Sequence, residues 1–82
     1  MNTNILIGQL PMFEVPKDII HKWLYYETGF EQLHPIPDIV HWMTEQGCAY
    51  GRDWKVESFT GHKYYIIFPN DEIASLFLLR WL

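Results

Sequence analysis

Asp38, His41 and Glu45 are the residues of this 82-residue chain that come nearest to a chemical constellation. On a helix, positions three and four apart share a face, so Asp38 could orient His41 as a general base, with Glu45 one turn further on. The same spacing also describes an ordinary solvated helix face, whose local pairs contribute only a few tenths of a kcal/mol. No nucleophile, set of oxyanion donors or phosphate-cradling glycine loop is identifiable beside the pair, and Gly8 by itself is not such a loop. A small enzyme using Asp38 and His41 is therefore the last-ranked expectation. Its signature would be a His41→Ala chain that folds but has lost a turnover.

Metal chemistry is no better supported. His34 and His41 are separated by six residues, as are His41 and Cys48. Zinc sites use close pairs such as C-x-x-C or H-x-x-x-H, and Pro35, Pro37 and Gly47 interrupt the longer intervals seen here. Neither metal nor cofactor is expected. Cys48 has Arg52 as its one basic neighbour in sequence and reads as a buried structural thiol rather than a reactive thiolate. Being the single cysteine, it excludes an internal disulfide and fits a reducing compartment or indifference to redox conditions.

Six elements would have to position these residues. Ile5 to Ile7 reads as a short strand closed by Gly8 and Pro11. Pro16 suits the first turn of a helix reaching about Tyr26, with Ile19, Ile20, Trp23 and Leu24 at helical spacing and Gly29 past its end. From Gly29 to Pro37 the segment GFEQLHPIP has no period and reads as a loop. Pro37 opens a second helix that Gly47 ends; Ile36, Val40 and Met43 share one side, with Ile39 and Trp42 nearby, and Asp38, His41 and Glu45 take the wetter face. Trp54–Phe59 and Lys63–Phe68 flank Thr60-Gly61-His62 as a hairpin. Asn70 caps a C-terminal helix over Asp71–Trp81, with Asp71 and Glu72 at its positive end and Arg80 in its last turn. The order is β-α-α-β-β-α. It predicts one α+β domain over residues 1–82, a small antiparallel sheet of about three strands packed on one face by three helices.

The composition narrows the functional classes. At 49% apolar and 17% aromatic the chain has the apolar area to fold. Six Lys and Arg against ten Asp and Glu give a net charge of −4, which argues against a phosphate-binding basic stripe. The carboxylates are too scattered to imitate nucleic acid. No run approaches 18 apolar residues and no basic-then-apolar leader opens the chain, so a cytoplasmic protein without a membrane span is expected.

The anomaly is surplus apolar surface. In the last helix Ile73, Ala74, Leu76, Phe77, Leu78, Leu79, Trp81 and Leu82 surround the axis, whereas a surface helix needs one apolar stripe. In the last strand Tyr64, Ile66 and Phe68 can face the core while Tyr65 and Ile67 point away, with Leu6 joining them on the open face. The leading expectation is therefore a non-enzymatic protein-binding module whose partner is another protein or a second copy. Tyr65 and Ile67 would act on the sheet, with Leu78 and Trp81 or Leu82 on the outer flank of the helix.

Two resemblances add to this. Ile5-Leu6-Ile7-Gly8-Gln9-Leu10-Pro11 resembles the first-strand signature of the RNA recognition motif. Gly61-His62-Lys63-Tyr64-Tyr65-Ile66-Ile67-Phe68 resembles its third-strand octapeptide, and the match runs on into Asp71, Glu72 and Ala74. The resemblance implies a partly ferredoxin-like fold that binds single strands on its sheet, with Leu6 on the first strand and Lys63 and Tyr65 on the third. The alternative function is accordingly a single-stranded nucleic-acid module, with Tyr65 as stacking platform and Lys63 plus Arg52 as charge partners. Its binding would be salt-sensitive and lost on Tyr65→Ala. More loosely, Phe68, Asp71, Glu72, Ala74, Phe77, Leu79, Arg80 and Trp81 resemble the strand-to-helix junction of small uncharacterised bacteriophage proteins. That implies a phage-encoded regulator or inhibitor.

Overall fold

A computed structural model describes residues 10–26, 33–58 and 63–82. The strand expected at Ile5–Ile7, with Leu6, lies outside the described residues, as do Thr60, Gly61 and His62. Three strands form the main sheet: β1 (Met12–Glu14), β4 (Lys55–Ser58) and β5 (Tyr64–Ile67). Two more, β2 (Leu24–Tyr26) and β3 (Leu33–Pro35), form a separate antiparallel pair. In the main sheet β5 is central and antiparallel to both neighbours, so β1 and β4 run the same way with β5 between them. This is the split β-α-β arrangement. The fold is α+β, as the pattern of elements predicts.

β1 falls where the sequence suggested only a turn. Met12, Phe13, Glu14 and Val15 alternate exposed, half-buried, exposed and buried, the period of a strand with one covered face. Val15 N–H donates to the Tyr64 carbonyl at 2.8 Å, and Phe68 N–H donates to the Pro11 carbonyl at 2.9 Å, which extends the ladder at both ends.

The helix expected from Pro16 to Tyr26 is much shorter. A 3-10 turn over Lys17–Ile19 leads into α1 (Ile20–Trp23), and Leu24 is already extended at φ −129° and ψ 153°. Leu24, Tyr25 and Tyr26 continue as β2, paired with Pro35, His34 and Leu33. Helical spacing was present in the sequence, but extending Leu24 lets it pair with Pro35 and bury its side chain in the core, at 2% exposure. Local propensity yields to that tertiary contact. The loop expected between Gly29 and Pro37 likewise contains β3. Pro35 and Pro37 do push His34 and Ile36 toward extended backbone, and here extended backbone became a paired strand.

The other two helices follow the sequence closely. α2 (Pro37–Glu45) has Pro in its first turn, buries Ile39 and Met43, and exposes Asp38, His41 and Glu45. It ends in a Schellman motif: Cys48 N–H donates to the Met43 carbonyl and Gly47 N–H to the Thr44 carbonyl, both at 2.9 Å. That closure requires the left-handed φ of +84° at Gly47. α3 (Asp71–Trp81) begins at Asn70, whose side-chain oxygen accepts from Ile73 N–H at 2.8 Å. Asn70→Ala is expected to lower stability by about 1 kcal/mol, read as a shifted urea midpoint, because one orphan amide of the first turn loses its acceptor.

The core lies on one side of the main sheet. Ile66, Phe68 and Trp54 come from the sheet and its approach, Trp23 and Leu24 from α1 and β2, Ile39 and Met43 from α2, and Phe77 from α3. Phe77 is the hub. Its ring lies 5.0 Å from Trp23, edge-on, 5.2 Å from Phe68, 6.1 Å from Trp42 and 6.3 Å from Trp81.

Candidate functional site

Register fixes the other face of the main sheet. Residues directly paired across strands point the same way, so Met12, Ile67 and Lys55 form one row, and Glu14, Tyr65 and Glu57 the next. None of these side chains belongs to the core cluster or packs against it. Tyr65 and Ile67 therefore sit where the alternation of β5 placed them, half-buried, with Met12 beside Ile67 at 51% exposure. Lys63, just before β5, is exposed. Lys55 Nζ lies 3.1 Å from Glu57 Oε2. Beyond this row is an open cleft of about 380 Å³ lined by Leu10, Trp54, Lys55, Ile67 and Pro69 among others. Leu10 and Met12 were missed as site residues. The alternation from Met12 to Val15 was the signal that could have found them.

α3 requires a correction. Leu78 and Trp81, expected on its outer flank, pack against the core with Ile73 and Ala74. At 100° per residue these positions surround Phe77, the one fully buried residue of the helix, and so face inward. The outer side is instead Leu76, Leu79 and Leu82, exposed by 40%, 84% and 68%. Of the residues expected there only Leu82 remains. The pattern alone could not choose the stripe, because apolar residues lie on both sides of the axis.

Between α2 and α3 is a shallow groove of about 280 Å³, lined by Asp38, His41, Trp42, Glu45, Arg80 and Trp81. It brings Arg80 and Trp81 to the trio singled out in the sequence. His41 Nε2 lies 3.3 Å from Glu45 Oε2 and both side chains are largely exposed, as in a solvated i,i+4 pair. Arg80 stacks on Trp81 with its guanidinium carbon 4.5 Å from the ring centroid. No hydroxyl or thiol lines the groove. Among the described residues no three His, Cys, Asp or Glu side chains converge as metal ligands, and no helix is long and apolar enough to cross a membrane.

Arg52 and Cys48 meet Asp53. Its carboxylate accepts from Arg52 Nη2 at 2.8 Å and Nε at 3.1 Å, and from the Ala49 N–H at 2.8 Å. The Arg52 hydrogen bonds, then that of Ala49, hold the Asp53 carboxyl below its ordinary value. Burial pushes the Cys48 thiol up, Asp53 adds to this and Arg52 opposes it, so the thiolate is disfavoured. A folded-state value below the unfolded one stabilises the fold above the ordinary carboxylate range, and that stability is lost as pH falls through the folded value. Asp53→Asn is therefore expected to flatten stability against pH below about pH 4, measured by thermal melts in acid, and to leave its shape near neutrality unchanged.

Comparison of the chain with protein families, curated proteins and solved structures gives no match.

Proposed function

We propose that the protein is a non-enzymatic protein-binding module that engages its partner through the open face of the main sheet. The observation that carries this is Met12 beside Ile67 in the row that Lys55 completes, with Tyr65 in the adjoining row, on a face from which the core takes nothing. Apolar and aromatic side chains grouped outside the core, with Met12 exposed and Tyr65 and Ile67 half-buried, have the make-up of interface hot spots. Glu14 and Glu57 on either side of Tyr65, together with Arg52 engaged by Asp53, favour a protein partner over a phosphate backbone. The acidic balance and the phage-type resemblance fit a regulator working in a host cytoplasm.

The test is a selection of binding peptides from a displayed random library on the intact protein, followed by titration against variants. Ile67→Glu and Tyr65→Ala are each expected to weaken the selected peptides by about 2 kcal/mol or more, near thirtyfold, with the fold retained. Peptides indifferent to both substitutions would move the binding face elsewhere. Salt-sensitive binding of an oligouridylate lost on Tyr65→Ala would replace a protein partner with a single-stranded nucleic acid.

A further inference from the structure

We propose that the outer edge of β1 takes an extended segment of the partner as a fourth strand of the main sheet, antiparallel to β1 and reading basic-x-apolar-x-apolar from its N-terminal end. The inference rests on the reading above, that a protein binds the open face, and names the conformation and the side chains that protein brings.

Main-chain hydrogen bonding picks out the edge. The Pro11 carbonyl and the Val15 N–H both bond to β5, so Phe13 between them faces β5 as well, and Met12 and Glu14 turn their N–H and C=O groups outward. No described strand pairs with that side of β1. Alternating donors and acceptors at strand spacing are matched by another extended backbone. Proline is a common guard of sheet edges, but Pro11 belongs to the β5-facing set, so its missing N–H takes nothing from the outer side. Pro16 limits the edge to the residues before it. At the other side of the sheet β3 packs against β4, which leaves β1 as the edge to be extended.

Side chains set what the strand carries. Directly paired residues point to one face, so the residues opposite Glu14, Met12 and Leu10 lie on the open face in steps of about 6.8 Å. Met12 and Leu10 are apolar and exposed by 51% and 43%. Leu10 also lines the cleft with Ile67, so a large apolar side chain opposite Leu10 enters the space that Ile67 borders. Glu14 is exposed and has no ion-pair partner among the described residues; Lys55 is held by Glu57, and Lys63 makes no ion pair with Glu14. A lysine or arginine opposite Glu14 supplies the opposite charge that a cross-strand pair favours. Antiparallel pairing, the more stable of the two, then fixes the order of the pattern.

Peptides selected on the intact protein test this by methylation of one backbone nitrogen at a time, with affinity read by fluorescence anisotropy. Methylation at the basic and the two apolar residues should each weaken binding about tenfold or more, and at the intervening residues by less than about threefold, because only alternate N–H groups face β1. Met12→Pro should weaken the same peptides about tenfold beyond Met12→Ala, with an unchanged circular dichroism spectrum, since it removes an outward N–H and none that bonds to β5. Glu14→Lys should weaken them about fivefold, and Glu in place of the basic residue of the peptide should restore binding. Peptides that lose affinity on Tyr65→Ala and Ile67→Glu yet accept methylation at every nitrogen would overturn the added strand and leave the open-face reading standing. Peptides indifferent to those two substitutions would overturn both. A dimer of the chain alone that is lost on Met12→Pro would make the occupant a second copy and so overturn a strand from another protein.

Discussion

Phe77→Ala is expected to cost about 4 kcal/mol of folding stability, of the order of the whole stability of a domain this small. Phe77 is fully buried and its ring meets Trp23, Phe68, Trp42 and Trp81, so its removal opens a cavity at the junction of α1, α2, α3 and the end of β5. The surrounding aromatic side chains are held by different elements and cannot collapse together into the space. In urea followed by tryptophan fluorescence, the midpoint should fall until the variant is largely unfolded at moderate temperature. Phe77→Leu should retain a substantial part of the stability. Leu79→Ala, two residues on but facing solvent, should change it by about 0.5 kcal/mol or less. A Phe77→Ala chain as stable as the wild type would mean that the core is centred elsewhere.

Adjacent isoleucines on β5 are expected to behave in opposite ways. Ile66 is fully buried between Phe13 and Val56 of the flanking strands, and Ile66→Ala should cost about 3 kcal/mol. Ile67 pairs with Met12 and Lys55 on the open face, and Ile67→Ala should cost about 1 kcal/mol or less of stability. The binding phenotype should reverse the ranking: peptides selected on the wild type should lose affinity for the Ile67 variant and keep it for whatever fraction of the Ile66 variant folds. Both substitutions remove the same atoms, so the difference isolates which face each residue occupies. Equal losses of stability would contradict the register, because a one-residue slip exchanges the two faces.

The elements legible in the sequence were those with strong local determinants. Asn70, the acidic first turn and Arg80 in the last turn fixed α3 to its observed bounds, and Pro37 with Gly47 did the same for α2. The β4–β5 hairpin was legible because two aromatic and β-branched runs flank a short glycine-containing connection. The central part of the chain was not. Leu24–Tyr26 and Leu33–Pro35 are strands only because each completes the other, and neither three-residue segment carries a period of its own.

For the candidate site, the sequence by itself determined the alternation of β5, which sends Tyr65 and Ile67 away from Ile66 and Phe68, because a strand has no choice but to present successive side chains to opposite faces. It also determined that α3 carries more apolar surface than one contact can cover. Only the tertiary structure decided which side of α3 is covered. Packing Phe77 among four aromatic rings turned Leu78 and Trp81 inward and left Leu76, Leu79 and Leu82 outside. Only the tertiary structure placed β1 at the edge of β5, adding Met12 to the row of Ile67 and Glu14 to that of Tyr65. The physical reason is the same in both cases: periodicity states which residues of an element share a face, and only contacts between elements distant in sequence determine which face is buried.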